Sequence, residues 1–237
     1  MLRKFSLATL AITVAALTAP QARAQTTFFD NLTGITSGFT SSVRPTNVLD
    51  VFTLSTSNVR ITSFQFLFSV PTGGSTGFTS TVNFWNTVNP AATPVNSGSL
   101  GGFVLNFGAI AAGLYLSNAV DLSGLPGGGI VIPDNDFGIQ IQFSDATPGN
   151  TADNITIGFT NNPVTTGTGS PDVFWRDADN NGQFDPSDAR AFATPNLADF
   201  GLKIGGVAVV VAPEPGSFAL VGVGLLPLVG LLRRRRA

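Results

Sequence analysis

The chain has 237 residues and contains neither cysteine nor histidine. Without cysteine no disulfide can form, so an exported fold must rely on its core or on a bound ion, and no thiolate nucleophile is available. Without histidine the usual proton shuttle and the commonest transition-metal ligand are missing, which excludes serine–histidine and cysteine–histidine catalysis. Charge is also scarce: 11% of the residues are charged, and the sole glutamate is Glu214. What charge there is lies unevenly. Residues 25–212 hold five basic side chains (Arg44, Arg60, Arg176, Arg190 and Lys203) against thirteen aspartates, a net −8, although the whole chain carries only −2. An acidic body without basic stripes argues against binding nucleic acid through its phosphates.

The basic residues missing from the body sit at the two ends. Arg3 and Lys4 precede an apolar run over residues 5–19, which is followed by Ala22-Arg23-Ala24. A positive start, a short apolar stretch and an A-x-A site make a secretory signal peptide over 1–24, with signal peptidase expected to cut before Gln25. At the other end, Pro213-Glu214-Pro215 leads into the 16 apolar residues 217–232, and Arg233, Arg234, Arg235 and Arg236 follow. As a helix that stretch spans about 24 Å at ~1.5 Å per residue, short of the ~30 Å hydrocarbon core, and Pro227 would kink it. Four arginines are costly to translocate and are expected to hold the C-terminus on the cytoplasmic side. The body then lies outside.

A proline–glutamate–proline motif, a short apolar helix and a terminal arginine cluster, in that order, resemble the PEP-CTERM sorting domain. The resemblance covers 213–237. It implies processing by exosortase, a membrane enzyme, with the transmembrane helix removed near the motif and the body passed to the cell surface or released. The alternative is a permanent single-pass anchor. Leu226-Pro227-Leu228-Val229-Gly230 superficially resembles a sortase motif, but Val229 stands where that chemistry needs threonine.

The 188 residues between the signals suffice for one domain with its own core. Apolar residues alternate with polar ones through Phe64-Phe66-Phe68-Val70, Phe78-Ser80-Val82-Phe84, Phe103-Leu105-Phe107, Leu114-Leu116-Asn118-Val120-Leu122, Phe137-Ile139-Ile141-Phe143, Ile155-Ile157-Phe159 and Phe200-Leu202-Ile204. A period of two buries one face and wets the other, as in antiparallel sheets. Glycine- and proline-rich clusters punctuate the runs, and no stretch of the body has a helical period. The expected fold is all-β, a single antiparallel β-sandwich over 25–212, jelly-roll-like, with about eight to ten strands. The phenylalanines are expected in its core. Trp85 falls on the polar face of its strand, where an aromatic ring can stack on sugars, and residues 165–170 are expected to form a loop.

One stretch has ligand spacing. In residues 177–188, oxygen side chains stand at positions 1, 3, 5, 9 and 12 (Asp177, Asp179, Asn181, Asp185 and Asp188), with Gly182 at position 6 and Phe184 at position 8. Gln183 offers its backbone carbonyl at position 7. The loop resembles those of EF-hands and of dockerin-type repeats, and the resemblance implies Ca2+. Asp188 is shorter than the usual EF-hand glutamate, and Val173-Phe174-Trp175 before the loop reads as strand. The alternative is a plain turn between two strands, with Asp188 paired to Arg190.

These observations point to an exported, non-catalytic protein of the cell envelope or the exopolysaccharide matrix. Two other classes stay open. One is a carbohydrate-binding module, favoured by the fold and Trp85. The other is a polysaccharide-acting enzyme using two aspartates such as Asp136 and Asp145, which flank a strand.

Overall fold

The computed structural model describes residues 25–33, 47–145, 155–160, 163–169, 173–179, 181–191 and 199–209. Both expected terminal helices, Pro213-Glu214-Pro215 and the four terminal arginines lie outside them. The chain divides into two compact units, Met1–Val207 and Ala208–Ala237. Only the first is described below. No helix among the described residues is long and apolar enough to cross a membrane.

The body is all-β and antiparallel. Its strands are β1 Thr26–Asp30, β2 Asn47–Thr53, β3 Val59–Val70, β4 Phe78–Val88, β5 Asn96–Phe107, β6 Gly113–Leu116, β7 Val120–Asp121 and β8 Ile130–Ile132. There follow β9 Asp136–Asp145, β10 Thr156–Ile157, β11 Phe159–Thr160, β12 Thr168–Gly169, β13 Val173–Arg176, β14 Ala189–Ala191, β15 Asp199–Phe200 and β16 Leu202–Ala208. One sheet runs β1-β16-β3-β10, with β6, β7 and β8 also paired to β3. The other runs β14-β13-β2-β9-β4-β5, with β12 also on β2, and β11 and β15 form a separate pair.

Period-two alternation puts one phenylalanine-rich face of each sheet against the other. Phe64, Phe66 and Phe68 of β3 meet Phe84, Phe143 and Phe78 of the second sheet at ring separations of 5.8, 6.3 and 5.7 Å. Phe29 of β1 meets Phe52 of β2 edge to face at 5.0 Å. Tilted and edge-to-face pairs of this kind add roughly 0.5–1.5 kcal/mol each beyond the apolar area they bury. Strand β9 lies between β2 and β4, opposing Val48 and Val82 at Ile141. Phe137, Ile139, Ile141 and Phe143 all face this core.

Two expectations are corrected here. Leu114 and Leu116 do not face the core; they are 39% and 47% exposed. The register pairs Phe68 with Tyr115, so Tyr115 takes the inward face and stacks on Phe68 at 5.7 Å. The second concerns the expected loop at 165–170. Thr166 bridges to Asp30, and Thr168–Gly169 pairs with Thr53 and Phe52, so this stretch stitches β1 to β2. Hydrogen bonding to two strand edges outweighs its threonine- and glycine-rich composition.

Ile141 is fully buried in a strand flanked on both sides. Ile141→Asp would leave an unpaired carboxylate or a strongly shifted acid in the core, and should destabilise the fold by several kcal/mol, a large part of the ~5–15 kcal/mol of a typical domain. Thermal melting of the variant checks it; a melting point within a degree or two of wild type would refute the core assignment.

Candidate functional site

Residues 177–188 connect β13 to β14, which pair as an antiparallel hairpin with Trp175 opposite Ala189. Both flanks are strands; the sequence leads one to expect the one at Val173-Phe174-Trp175. The loop folds over the outward face of the second sheet, where Leu49, Val95, Trp175 and Phe184 form a small second core. Phe184 is 1% exposed, and its carbonyl accepts the Val95 amide at 2.7 Å. The apolar residue at position 8 thus nails the loop to the β4–β5 connection.

Within the loop the oxygens of the predicted ligands accept main-chain N–H groups. Asp177 Oδ1 accepts from the Asn181 amide at 3.1 Å, and its Oδ2 from Gly182 at 3.0 Å. Asp179 Oδ1 accepts from the same Asn181 amide, while Asn181 Oδ1 accepts from Gln183 at 2.7 Å. Asp188, 3% exposed, accepts the amides of Ala178 and Asp185 and so ties the loop's two ends together. Asp185 caps the 3-10 turn Pro186–Asp188. The Ser187 hydroxyl and amide, both donating to Asp185, hold its carboxyl below the ordinary value. Gly182 has φ 81°, a left-handed conformation at the sharp turn that a side chain would strain. Arg190 donates to the carbonyls of Ser187 and Ala189, and Asp188 spends its oxygens on the two amides.

Among the described residues no three acidic side chains converge into a ready-made metal cage. The donor set is nevertheless all oxygen, the chemistry a hard divalent cation takes. Asp177, Asp179, Asn181, Asp185 and Asp188 would hold such an ion by exchanging main-chain partners for it.

Two residues of this region were invisible to sequence reasoning. Asn47, 130 positions before Asp177, donates from Nδ2 to Asp177 Oδ2 at 3.0 Å. Gln140 Nε2 in turn donates to Asn47 Oδ1 at 2.9 Å, and Gln140 Oε1 accepts from the Trp85 indole N–H at 3.2 Å. Asn47, Gln140 and Asp177 are all buried. A chain of carboxamides therefore runs across β2, β9 and β4 from the loop to Trp85. Trp85 is half-buried beside the second core, and Trp175 is 2% exposed, leaving it no face for a sugar.

Asp136 and Asp145 stand at opposite ends of β9. At ~3.4 Å per residue their backbones lie roughly 30 Å apart, whereas paired glycosidase carboxyls need about 5–9.5 Å. That pair cannot act together. A separate cavity of about 430 Å³ opens on the first sheet, lined in part by Gln25, Thr62, Ser63, Asp121 and Ser123.

Fold and site together define an all-β protein of two facing antiparallel sheets, carrying an aspartate-rich hairpin loop on one outer face. Compared with family models, curated proteins and solved structures, the chain matches none.

Replacing Asn47 by Ala removes a donor to Asp177 and the acceptor of the Gln140 amide. Each buried polar group left unpaired costs about 1–3 kcal/mol. Urea unfolding of Asn47→Ala should show a midpoint lowered by that order; an unchanged midpoint would mean that water replaces Asn47 freely.

Proposed function

We propose that this is an exported, non-catalytic β-sandwich protein, processed by signal peptidase and exosortase and then displayed at the cell surface or released, in association with the envelope or exopolysaccharide. One observation carries the proposal. Strand β1 begins at Thr26, next to the expected cleavage point, and β16 ends at Ala208, shortly before Pro213; the two strands pair, Thr26 opposite Gly206. First and last strands thus close the fold between the two sorting signals, so neither signal is needed to complete the sheet.

Strand order supports a jelly-roll-like reading of the sandwich. Phe68 pairs with both Tyr115 and Ile157, so β6 and β10 lie on opposite sides of β3. Counting the broken edge β6–β8 as one strand, the sheets read first-last-third-sixth and second-seventh-fourth-fifth, with the β13–β14 hairpin added beside β2.

The mature protein is expected to begin at Gln25 and to lack Arg233, Arg234, Arg235 and Arg236. Intact-mass measurement of the envelope and secreted forms tests this. A mature form that keeps its arginine tail would leave a permanent membrane anchor instead.

Calcium belongs to the same proposal, with Asp177, Asp179, Asn181, Asp185 and Asp188 as side-chain ligands and Gln183 contributing its carbonyl. Binding only the folded state adds about 2.7 kcal/mol at a hundredfold excess over Kd. The shorter Asp188 favours the weak, extracellular range of roughly 10⁻⁴–10⁻³ M. Melting temperature should rise from chelator to millimolar calcium and much less with magnesium, which demands a smaller octahedral site. Asp179→Ala should abolish the rise. A wild-type melt indifferent to calcium would return the loop to a plain turn.

A second reading, a carbohydrate-binding module, is favoured by the cavity at Thr62, Ser63, Asp121 and Ser123, whose hydroxyls and carboxylate suit sugar hydroxyls. Glycan-array binding separates the two readings.

A further inference from the structure

Residues 61–120 contain no charged side chain, and they supply all of β4, β5 and β6 and most of β3. Strand β5 lies at the rim of the second sheet. It pairs with β4 on one side, and among the described residues no strand lies on the other. An open edge presents a row of unpaired N–H and C=O groups, which folds usually blunt with charge, proline, irregularity or short length. Other edges of the two sheets are blunted in these ways. Strand β14 has three residues, one of them Arg190. Asp30 of β1 exchanges main-chain hydrogen bonds with Thr165 and Thr166, and β6, β7 and β8 are broken segments. Strand β5 is twelve residues long, without charge or proline. Gly98 and Gly101, with φ 66° and 111°, and a register shift at Phe84 and Trp85 bend its first half. From Gly102 to Phe107 its register with β4 is unbroken.

Apolar exposure gathers at the same rim. Among the described residues the exposed large apolar side chains are Val104, Leu114, Leu116 and Val131, and they lie on β5, β6 and β8. These strands run together along one side of the body. Phe107 of β5 and Tyr115 of β6 both pack on Phe68, at 5.2 and 5.7 Å, and β5 lies against β8. Leu105 and Phe107 pack against the core yet stay half-buried, because no strand beyond β5 closes the phenylalanine layer there.

We propose that β5 pairs with β5 of a second copy of this chain, antiparallel about a two-fold axis at Val104, so that the second sheets of two copies form one continuous sheet. An antiparallel edge is complementary to itself: a two-fold rotation sets the donors of one copy against the acceptors of the other. Val104, 57% exposed, then meets Val104 of the second copy on the outer face. Phe103 faces Leu105 of the second copy, which joins the two phenylalanine layers across the seam, and Gly102 faces Asn106. Charge selects the occupant. Residues 25–212 carry a net −8, so a second copy is repelled from an acidic face, whereas this rim brings together only uncharged strands. A basic partner would find no carboxylate on β5 to pair with.

The pairing depends on neither sorting signal nor the calcium loop, and its test uses the full chain in detergent, with micelles in excess over chains. Sedimentation equilibrium at up to about 100 μM protein should give a dimer, whose population is set by protomer concentration. Val104→Lys places like charges face to face and should raise the dimer Kd by about tenfold or more. The melting point of the dilute protein should not change, because this side chain already meets water. Since the chain lacks cysteine, single replacements report contact without background. A disulfide needs Cβ atoms about 3.5–4.5 Å apart. Val104→Cys should therefore cross-link to its copy under mild oxidation, and Leu116→Cys, on the outer face of the other sheet, should not. A wild type that stays monomeric would overturn the proposal. So would a dimer that Val104→Lys leaves intact, or one that cross-links through Leu116→Cys and not through Val104→Cys; if the lysine variant fails to fold, the cross-links still decide.

Discussion

Everything else in this molecule depends on the layer of phenylalanine rings between its two sheets. With no disulfide to restrain the unfolded chain, apolar burial and dispersion must offset conformational entropy by themselves. Phe64, Phe66 and Phe68 on one strand, facing Phe84, Phe143 and Phe78 from the opposite sheet, concentrate that burial along the axis of β3. Broken edge segments such as β6, β7 and β8 pair with β3 over a few residues each, and stay in place because their inward side chains join the same layer. Where an edge residue turns inward, as Tyr115 does, the register with β3 selects it over its more hydrophobic neighbours.

The outward face of the second sheet obeys a different rule. An ordinary outer face is wet and polar, but here Leu49 and Trp175 lie under the β4–β5 connection and the aspartate-rich loop. Covering the face buries Asn47 and Gln140 as well, and their amides must then find partners. They find one another, Asp177 and Trp85. The loop is consequently held from two sides, by Phe184 beneath and by Asn47 at its first residue. A calcium ion would meet a loop held at Phe184 and Asp177, and would have to displace the amides that Asp177 and Asp188 accept.

Charge is handled in three distinct ways. Asp30 is the conventional case: burial opposes its ionisation, but the Thr33 hydroxyl, Lys203 at 2.9 Å and two amides outweigh that and keep it ionised. Asp185 is half-buried, and the Ser187 hydroxyl and amide hold its carboxyl below the ordinary value. Asp50 is buried between the sheets, and burial, followed by the charge of Asp199, pushes its carboxyl well above the ordinary value.

The sequence by itself determined the all-β class, the inward phenylalanines of β3, β4 and β9, and the strand that precedes residues 177–188. Those features follow from local periodicity and turn residues, which act over a few positions. The sorting signals expected at the two ends are likewise a reading of local composition. Tertiary structure alone decided the rest. Nothing near Asn47 or Gln140 in the chain marks them as partners of the loop, and nothing near Asp50 announces Asp199. Leu114 and Leu116 alternate as core residues should, yet face solvent. In each case the outcome is fixed by which strand comes to lie alongside and in what register, and register is a property of pairs of strands distant in sequence.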